Sequence, residues 1–327
     1  MRTATGLRAL VLATAAAAFV TPAAHAQSNY PNKPITLVLG FAPGGPSDVM
    51  ARVLTRKMEE FLKQPIIIDN KAGAGGTIAG GIVARAAPDG YTIMLATGSI
   101  LAINVTLYKN PPYDSVKDYA PISMLGVQTN VLYTHPSVPA KSVADFVAYA
   151  KANPGKLQFG SGGVGTPAHL AGELLRLKAG IDYTHVPFRG TGPTLQSVIG
   201  GHVLTAFNPP SPLIPHLQTG SIKAIAITTL ERTPVLPDTP TFHESGYPGF
   251  DAATWHAMVA PANTPKEVIG ALNRAVVGSL KDPAVLKALT DSGVDVKSST
   301  PEWLGDYIKS EIPKWAEVIK ASGAKVE

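Results

Sequence analysis

Two glycine-rich segments carry the residues best suited to chemistry. The first is Phe41-Ala42-Pro43-Gly44-Gly45-Pro46-Ser47-Asp48, and the second is Gly160-Ser161-Gly162-Gly163-Val164-Gly165-Thr166-Pro167. Each follows a short apolar run and precedes a stretch with helical spacing. Glycine lets a backbone approach a ligand closely and adopt positive φ. Ser47 or Asp48 can cap the helix after the first segment, and Thr166 with Pro167 forms a cap and first-turn pair in the second. A helix start presents unpaired N–H groups at the positive end of the helix dipole, so the chemistry on offer is anion binding. For the first segment, a tight βα turn with an ordinary cap is the other reading.

The second segment is open to three readings. Gly160, Gly162 and Gly165 fit G-x-G-x-x-G, the spacing of dinucleotide sites. Such sites place an acid at the end of the next strand. Here Asp182 precedes that strand, and Phe188-Arg189-Gly190 follows it. A carboxylate cradle is favoured, with a dinucleotide site and a structural turn as alternatives. The device occurs once in each half of the chain. Two helix starts facing one cleft would hold an anion, or both ends of a dianion.

Signals for catalysis are poor. There is no G-x-S-x-G, H-E-x-x-H or G-x-x-x-x-G-K-[ST]. Cys is 0, which excludes thiol nucleophiles, Cys-ligated metals and disulfides. The His residues are scattered without metal-like spacing, although His169 falls in the first turn after Thr166. No catalytic residue, metal or cofactor is expected. Trp255 is a candidate to line the cleft. Trp303 and Trp315 are expected to pack.

These loops need a scaffold, and the chain alternates short strands with helices. Strands are expected at 35–39, 66–68, 91–97, 131–133, 157–159, 183–187, 203–207 and 222–228. Helices are expected from 50 to 62, 78 to 87, 142 to 152, 167 to 179 and 194 to 199. The C-terminal part reads as helical, with starts at Thr264-Pro265 and Thr300-Pro301. This order predicts an α/β fold with mostly parallel sheets flanked by helices. Two domains are expected, 27–127 with 255–327 and 128–254. Their crossings are expected at 121–129 and 253–261.

Composition narrows the class further. Charged residues are 16% of 327, and Gly 31 plus Pro 29 demand many turns without implying disorder. Arg2 and Arg8, an apolar stretch and Ala24-His25-Ala26 form a leader pattern, with cleavage expected near Ala26 and export to the periplasm. Loss of those two arginines takes the net charge from +5 to +3. No Lys/Arg run with interleaved aromatics is present, so a nucleic-acid partner is not expected.

The chain resembles the substrate-binding proteins of tripartite tricarboxylate transporters, the Bug/TctC family. The two loops carry this likeness, with Gly73-Ala74-Gly75-Gly76, Ala87-Pro88-Asp89-Gly90-Tyr91, His169-Leu170-Ala171-Gly172-Glu173 and His185-Val186-Pro187-Phe188-Arg189-Gly190. Pro237-Asp238-Thr239-Pro240-Thr241 and Ala260-Pro261-Ala262-Asn263-Thr264-Pro265 extend it across the mature chain. The resemblance implies a type II-like, two-domain periplasmic-binding-protein fold with the ligand in an interdomain cleft. It implies a monomer that captures a small carboxylate by domain closure and delivers it to membrane permease components. A periplasmic sensor, or less favourably an exported α/β enzyme, is the alternative.

Carried onto this chain, the resemblance implicates Phe41, Gly44, Gly45, Ser47 and Asp48 on one side of the cleft. On the other it implicates Ser161, Gly162, Gly163, Gly165, Thr166, His169, Arg189 and Asn208. Thr97, Gly98 and Ser99, after the third strand, are expected to line the same cleft. The family commonly has Asp where this chain has Asn208, an acid suited to a ligand ammonium. Neutral Asn208 implies a ligand without one, favouring a dicarboxylate or an aromatic carboxylate. Thr77 stands where Asn is frequent and is expected to change local hydrogen bonding only.

Overall fold

The computed structural model describes residues 30–324. The expected leader, 1–26, lies outside the described residues. β1 (Ile35–Leu39) is an apolar run, with β2 (Ile66–Asn70) and β3 (Thr92–Thr97) parallel on either side. α1 (Pro46–Leu62) links β1 to β2 and buries Met50, Ala51, Leu54, Met58 and Leu62, spaced for one helical face. α2 (Thr77–Ala84) ends three residues before the expected Ala87. Pro88 disfavours helical backbone at the residue before it, and Ala86 N–H closes a turn on Val83 O at 3.1 Å.

After β3 the apolar run Ile100 to Ile103 forms a buried π-helical turn, Ser99–Ile103, that continues into α3 (Asn104–Leu107). β4 (Tyr119–Gln128) then leads the chain out of this sheet, and β10 (Thr254–Pro261) brings it back. β11 (Val294–Val296) closes the edge. The six-stranded order is β11-β4-β10-β3-β1-β2.

The other sheet lies between those two passages. It is built from β5 (Val131–Thr134), β6 (Leu157–Ser161), β7 (Tyr183–Pro187), β8 (Thr205–Asn208) and β9 (Lys223–Ile227). Their order is β7-β6-β8-β5-β9. α4 (Val143–Ala152), α5 (Pro167–Ala179), α6 (Thr191–Ile199) and α7 (Ile214–Gln218) connect them. A lobe thus surrounds each sheet.

The sheets are mixed rather than mostly parallel. Among the named strands, parallel pairing joins β1 with β2 and β3, and β6 with β7 and β8. The remaining pairs are antiparallel. The cause is the path between lobes: β4 leaves and β10 returns, so the two run in opposite directions and pair along their length. The passages are tied at the crossing. Thr228 N–H donates to Asn130 O at 3.0 Å, and Ala252 N–H donates to Thr228 O at 2.8 Å.

The C-terminal helices α8 (Lys266–Leu280), α9 (Pro283–Asp291) and α10 (Pro301–Ser322) pack on the first lobe and its neighbours. Thr300 caps α10 as expected, accepting Trp303 N–H at 3.2 Å. Thr264 does not cap α8. Its hydroxyl donates back to Pro261 O at 2.7 Å, and Pro265 takes the cap position.

Trp255 is buried, not in the cleft. With Trp315 it donates to Glu311 Oε2, at 3.1 and 2.9 Å, and Lys314 Nζ donates to Glu311 Oε1 at 2.7 Å. Glu311 is 4% exposed, so this carboxylate is a buried anchor between β10 and α10. Trp303 is half exposed and stacks on Tyr307 instead of entering the core.

Candidate functional site

The first loop starts at the end of β1 and ends inside α1, which begins two residues earlier than a Ser47 cap would allow and three earlier than an Asp48 cap would. Gly45 is the N-cap and Pro46 the first helical residue. Asp48 is 2% exposed, and its carboxylate turns inward. It accepts Gly44 N–H at 3.0 Å, Arg52 Nε at 2.8 Å and Nη2 at 3.1 Å, and Asn70 Nδ2 at 3.2 Å. Asn70 Nδ2 also donates to Phe41 O at 2.9 Å. Asp48 therefore shapes the loop from behind. As first-turn residues, Ser47 and Asp48 keep backbone N–H groups without a carbonyl one turn back within the helix.

The hydrogen bond from Arg52, then that from Gly44, hold the Asp48 carboxyl at about 2. Its folded-state value lies below the ordinary 3.8, so its stabilisation is complete above that value and lost as pH falls through about 2. A carbon-13 titration of Asp48 should show that low midpoint. Arg52→Gln should raise it towards the ordinary value.

The second loop runs from β6 into α5. Gly163 and Gly165 have φ of +139° and +75°, a region side chains disfavour. Thr166 caps α5, accepting His169 N–H at 3.2 Å while its hydroxyl donates to Gly163 O at 2.8 Å. Ser161 Oγ accepts Gly163 N–H at 3.2 Å and lies 2.7 Å from His185 Nε2. Gly165 N–H donates to His169 Nδ1 at 3.1 Å. A Cβ on Gly165 would fall 2.3 Å from Leu107 Cδ2 of α3, so this loop already touches the opposite lobe.

Both loops line one cavity of about 660 Å³. Of the residues expected from sequence, Phe41, Gly44, Gly45, Ser47, Thr97, Ser99, Gly162, Thr166, Arg189 and Asn208 line it. Asp48, Gly98, Ser161, Gly163, Gly165 and His169 do not. Most of these stand behind the wall as supports. Gly98 instead gives Trp255 room, since a Cβ there would lie 2.6 Å from its Nε1.

Sequence reasoning missed Gln128, Asn130, Thr254 and His256, which also line the cavity. The signal was present as polar residues at alternate positions on and beside the crossing strands. Alternation sends neighbouring side chains to opposite faces. Val127, Thr129 and Ala253 accordingly line a different cavity, of about 710 Å³. That larger space includes neither glycine-rich loop, so the smaller one is the candidate site.

The candidate site has a clear electrostatic character. Among the described residues lining it, Arg189 and His256 are the ionisable ones, and no carboxylate appears. Burial lowers His256 to about 4, so it is neutral at pH 7. Three lining residues hold buried side-chain atoms with no hydrogen-bond partner: Thr97 Oγ1, Asn208 Oδ1 and His256 Nδ1. Asn208 spends its amide N–H groups on Tyr133 Oη at 2.8 Å and on Thr191 O at 3.2 Å. A carbonyl only accepts, which fixes the amide orientation and leaves Oδ1 as an acceptor. Buried polar atoms are normally paired, so these orphans, two on the β3–β10 side of the cavity and one on β8 across from it, mark a place for a polar occupant.

Comparisons with known proteins give the family and the fold. The model of the tripartite tricarboxylate transporter family receptor matches residues 50–324. Protein BugT of Bordetella pertussis is 37% identical over 299 residues, covering 91% of this chain and 92% of its own. Two solved structures share the fold. The periplasmic binding protein BugD is 34% identical at a TM-score of 0.76, covering 91% of this chain and all of its own. An R. palustris protein solved with adipate is 33% identical at 0.78, covering 90% and 98%. The two mixed sheets, their flanking helices and the cleft between lobes are thus a two-domain periplasmic-binding-protein fold. The chain belongs to the tripartite tricarboxylate transporter receptor family, the Bug/TctC solute-binding proteins of the periplasm.

Proposed function

We propose that this protein captures a small carboxylate in the 660 Å³ cavity and delivers it to the membrane components of a tripartite tricarboxylate-type transporter. It binds and releases its ligand as a monomer without making or breaking bonds. The observation that carries this reading is the cavity wall: two helix-start loops, one arginine and no carboxylate among its described lining residues. Backbone N–H groups in the first turns of α1 and α5, those of Ser47 and Ala168, grip the carboxylate, and Arg189 adds a charge-assisted contact. The leader is removed near Ala26. Residues 27–127 with 255–327 form one moving body, and 128–254 form the other. Contacts made to both bodies only in the closed state supply the free energy of closure.

The adipate found in the R. palustris relative supports a dicarboxylate. Asn208 supports a ligand without an ammonium, because one neutral acceptor does not balance a buried positive charge. Native mass spectrometry of the purified protein should show a co-purified carboxylate. A thermal-shift panel should give stabilisation by adipate, succinate, malate or benzoate and none by aspartate or glutamate. Amino-acid binding without carboxylate binding would overturn this ligand class. Arg189→Ala should weaken the best ligand of the panel by about 10- to 100-fold, the worth of one charge-assisted hydrogen bond. Titration calorimetry reads that change directly.

A further inference from the structure

Behind the second loop, two histidine rings are stacked with centroids 3.9 Å apart and planes 27° from parallel. His169 is on α5 and His185 on β7. Each reaches a different point of the loop: His169 Nδ1 meets Gly165 N–H, and His185 Nε2 meets Ser161 Oγ, which itself contacts Gly163. Phe159 supports the pair from β6, 4.9 Å from the His185 ring and 6.3 Å from His169. We infer that His169 and His185 are positioning residues for the glycine-rich loop, and that the loop keeps its ligand-ready shape only while the His169 ring is neutral. This inference rests on the loop being a carboxylate cradle.

The chemistry of one nitrogen decides it. Gly165 N–H is a donor, so His169 Nδ1 must be a bare acceptor, and the ring proton of the neutral form sits on Nε2. A second proton would occupy Nδ1 and place two donors face to face. The Gly165 contact would break, and Gly165 would leave its positive-φ turn. A proton on His185 would lie within a ring stack of the first.

The charged and titratable groups around the pair are few. On α5, Glu173 Oε1 lies 3.9 Å from His169 Nε2, while Glu173 Oε2 accepts Arg176 Nε at 2.8 Å. Arg176 also donates to Ala321 O at the end of α10. On β7, Tyr183 is buried and its hydroxyl donates to Gly172 O at 2.7 Å. Burial lowers His169 from 6.5 to about 4. Burial, then the His169 charge, lowers His185 to about 3. For a base held below its ordinary value, protons favour the opened loop. The loop is at full strength above about pH 6.5 and loosens as pH falls towards about 4.

The test uses the whole purified protein with adipate as probe, read by calorimetry between pH 7.5 and 5.0, and by exchange of the Gly165 amide. His169→Asn places an oxygen acceptor near the Nδ1 position without a titrating ring, and His169→Leu removes the acceptor. In the wild type, adipate affinity should fall as the pH is lowered across this range, and more steeply than in H169N. H169L should lose affinity at every pH and expose the Gly165 amide. H169N should rescue most of that loss and flatten the profile. Comparing variants at equal pH cancels the protonation of adipate itself. An H169N profile as steep as the wild type, or an H169L variant with Gly165 still protected, overturns the inference. If Gly165 responds as described while adipate and malate binding ignore H169L, the positioning role stands and the carboxylate-cradle reading falls.

Discussion

Gly165→Val abolishes useful binding: adipate affinity drops by about a hundredfold, or about 2.8 kcal/mol, while the protein still folds. Two costs combine. A β-branched residue at φ +75° costs about 1–3 kcal/mol of backbone strain. Its Cβ would also sit 2.3 Å from Leu107 Cδ2, and Leu107 is buried at 4% exposure with little room to retreat. The contact joins the lobes, so the added side chain props the cleft open. Leu107→Ala in the same chain removes the collision but leaves the strain, and should recover part of the affinity. Circular dichroism checks folding and calorimetry checks binding. Wild-type affinity in Gly165→Val would remove the loop from the site.

Glu311→Leu has the largest expected effect on stability. The carboxylate is buried and holds two indole N–H groups and one ammonium. Leucine leaves both indoles without an acceptor, in a place water does not reach. Breaking a buried charged network typically costs about 3–5 kcal/mol. At about 2–4 °C per kcal/mol the melting temperature falls by roughly 6–20 °C. Glu311→Gln should lose much less, because one amide oxygen at the Oε2 position can serve both indoles. Denaturant unfolding followed by tryptophan fluorescence measures both. A loss below about 1 kcal/mol for Glu311→Leu would show that water replaces the carboxylate.

Much of the fold was legible where local chemistry is unambiguous. β1, β7 and α5 fall on the expected residues. α5 shows why: Thr166 and Pro167 fix its start, and Gly180 at φ 58° fixes its end. The π-helical turn after β3 was not legible, because residues 100–103 are all buried and offer no polar face to set a period. Thr264 has a cap sequence, but its hydroxyl found a carbonyl behind it first. Trp255 looked like a cleft residue because an aromatic in a strand suits either surface or core. The acid that claims it, Glu311, lies 56 positions away.

The candidate site shows the same limit. The two loops were visible as motifs, since glycine and capping residues act over a few positions. Whether a residue lines the cavity or supports its wall depends on which way the side chain turns. Asp48 and His169 turn inward to neighbours that folding supplies. Gln128, Asn130, Thr254 and His256 gain their place from two strands meeting across more than a hundred residues.

The crossing strands separate the 660 Å³ cavity from the 710 Å³ one, with alternate residues facing each. A rotation about that shared wall that narrows one space widens the other. Water expelled from the first is matched by water admitted to the second. Under the closure proposed above, the net volume of the protein and its hydration shell would change little, and hydrostatic pressure would be a weak lever on the balance between open and closed forms.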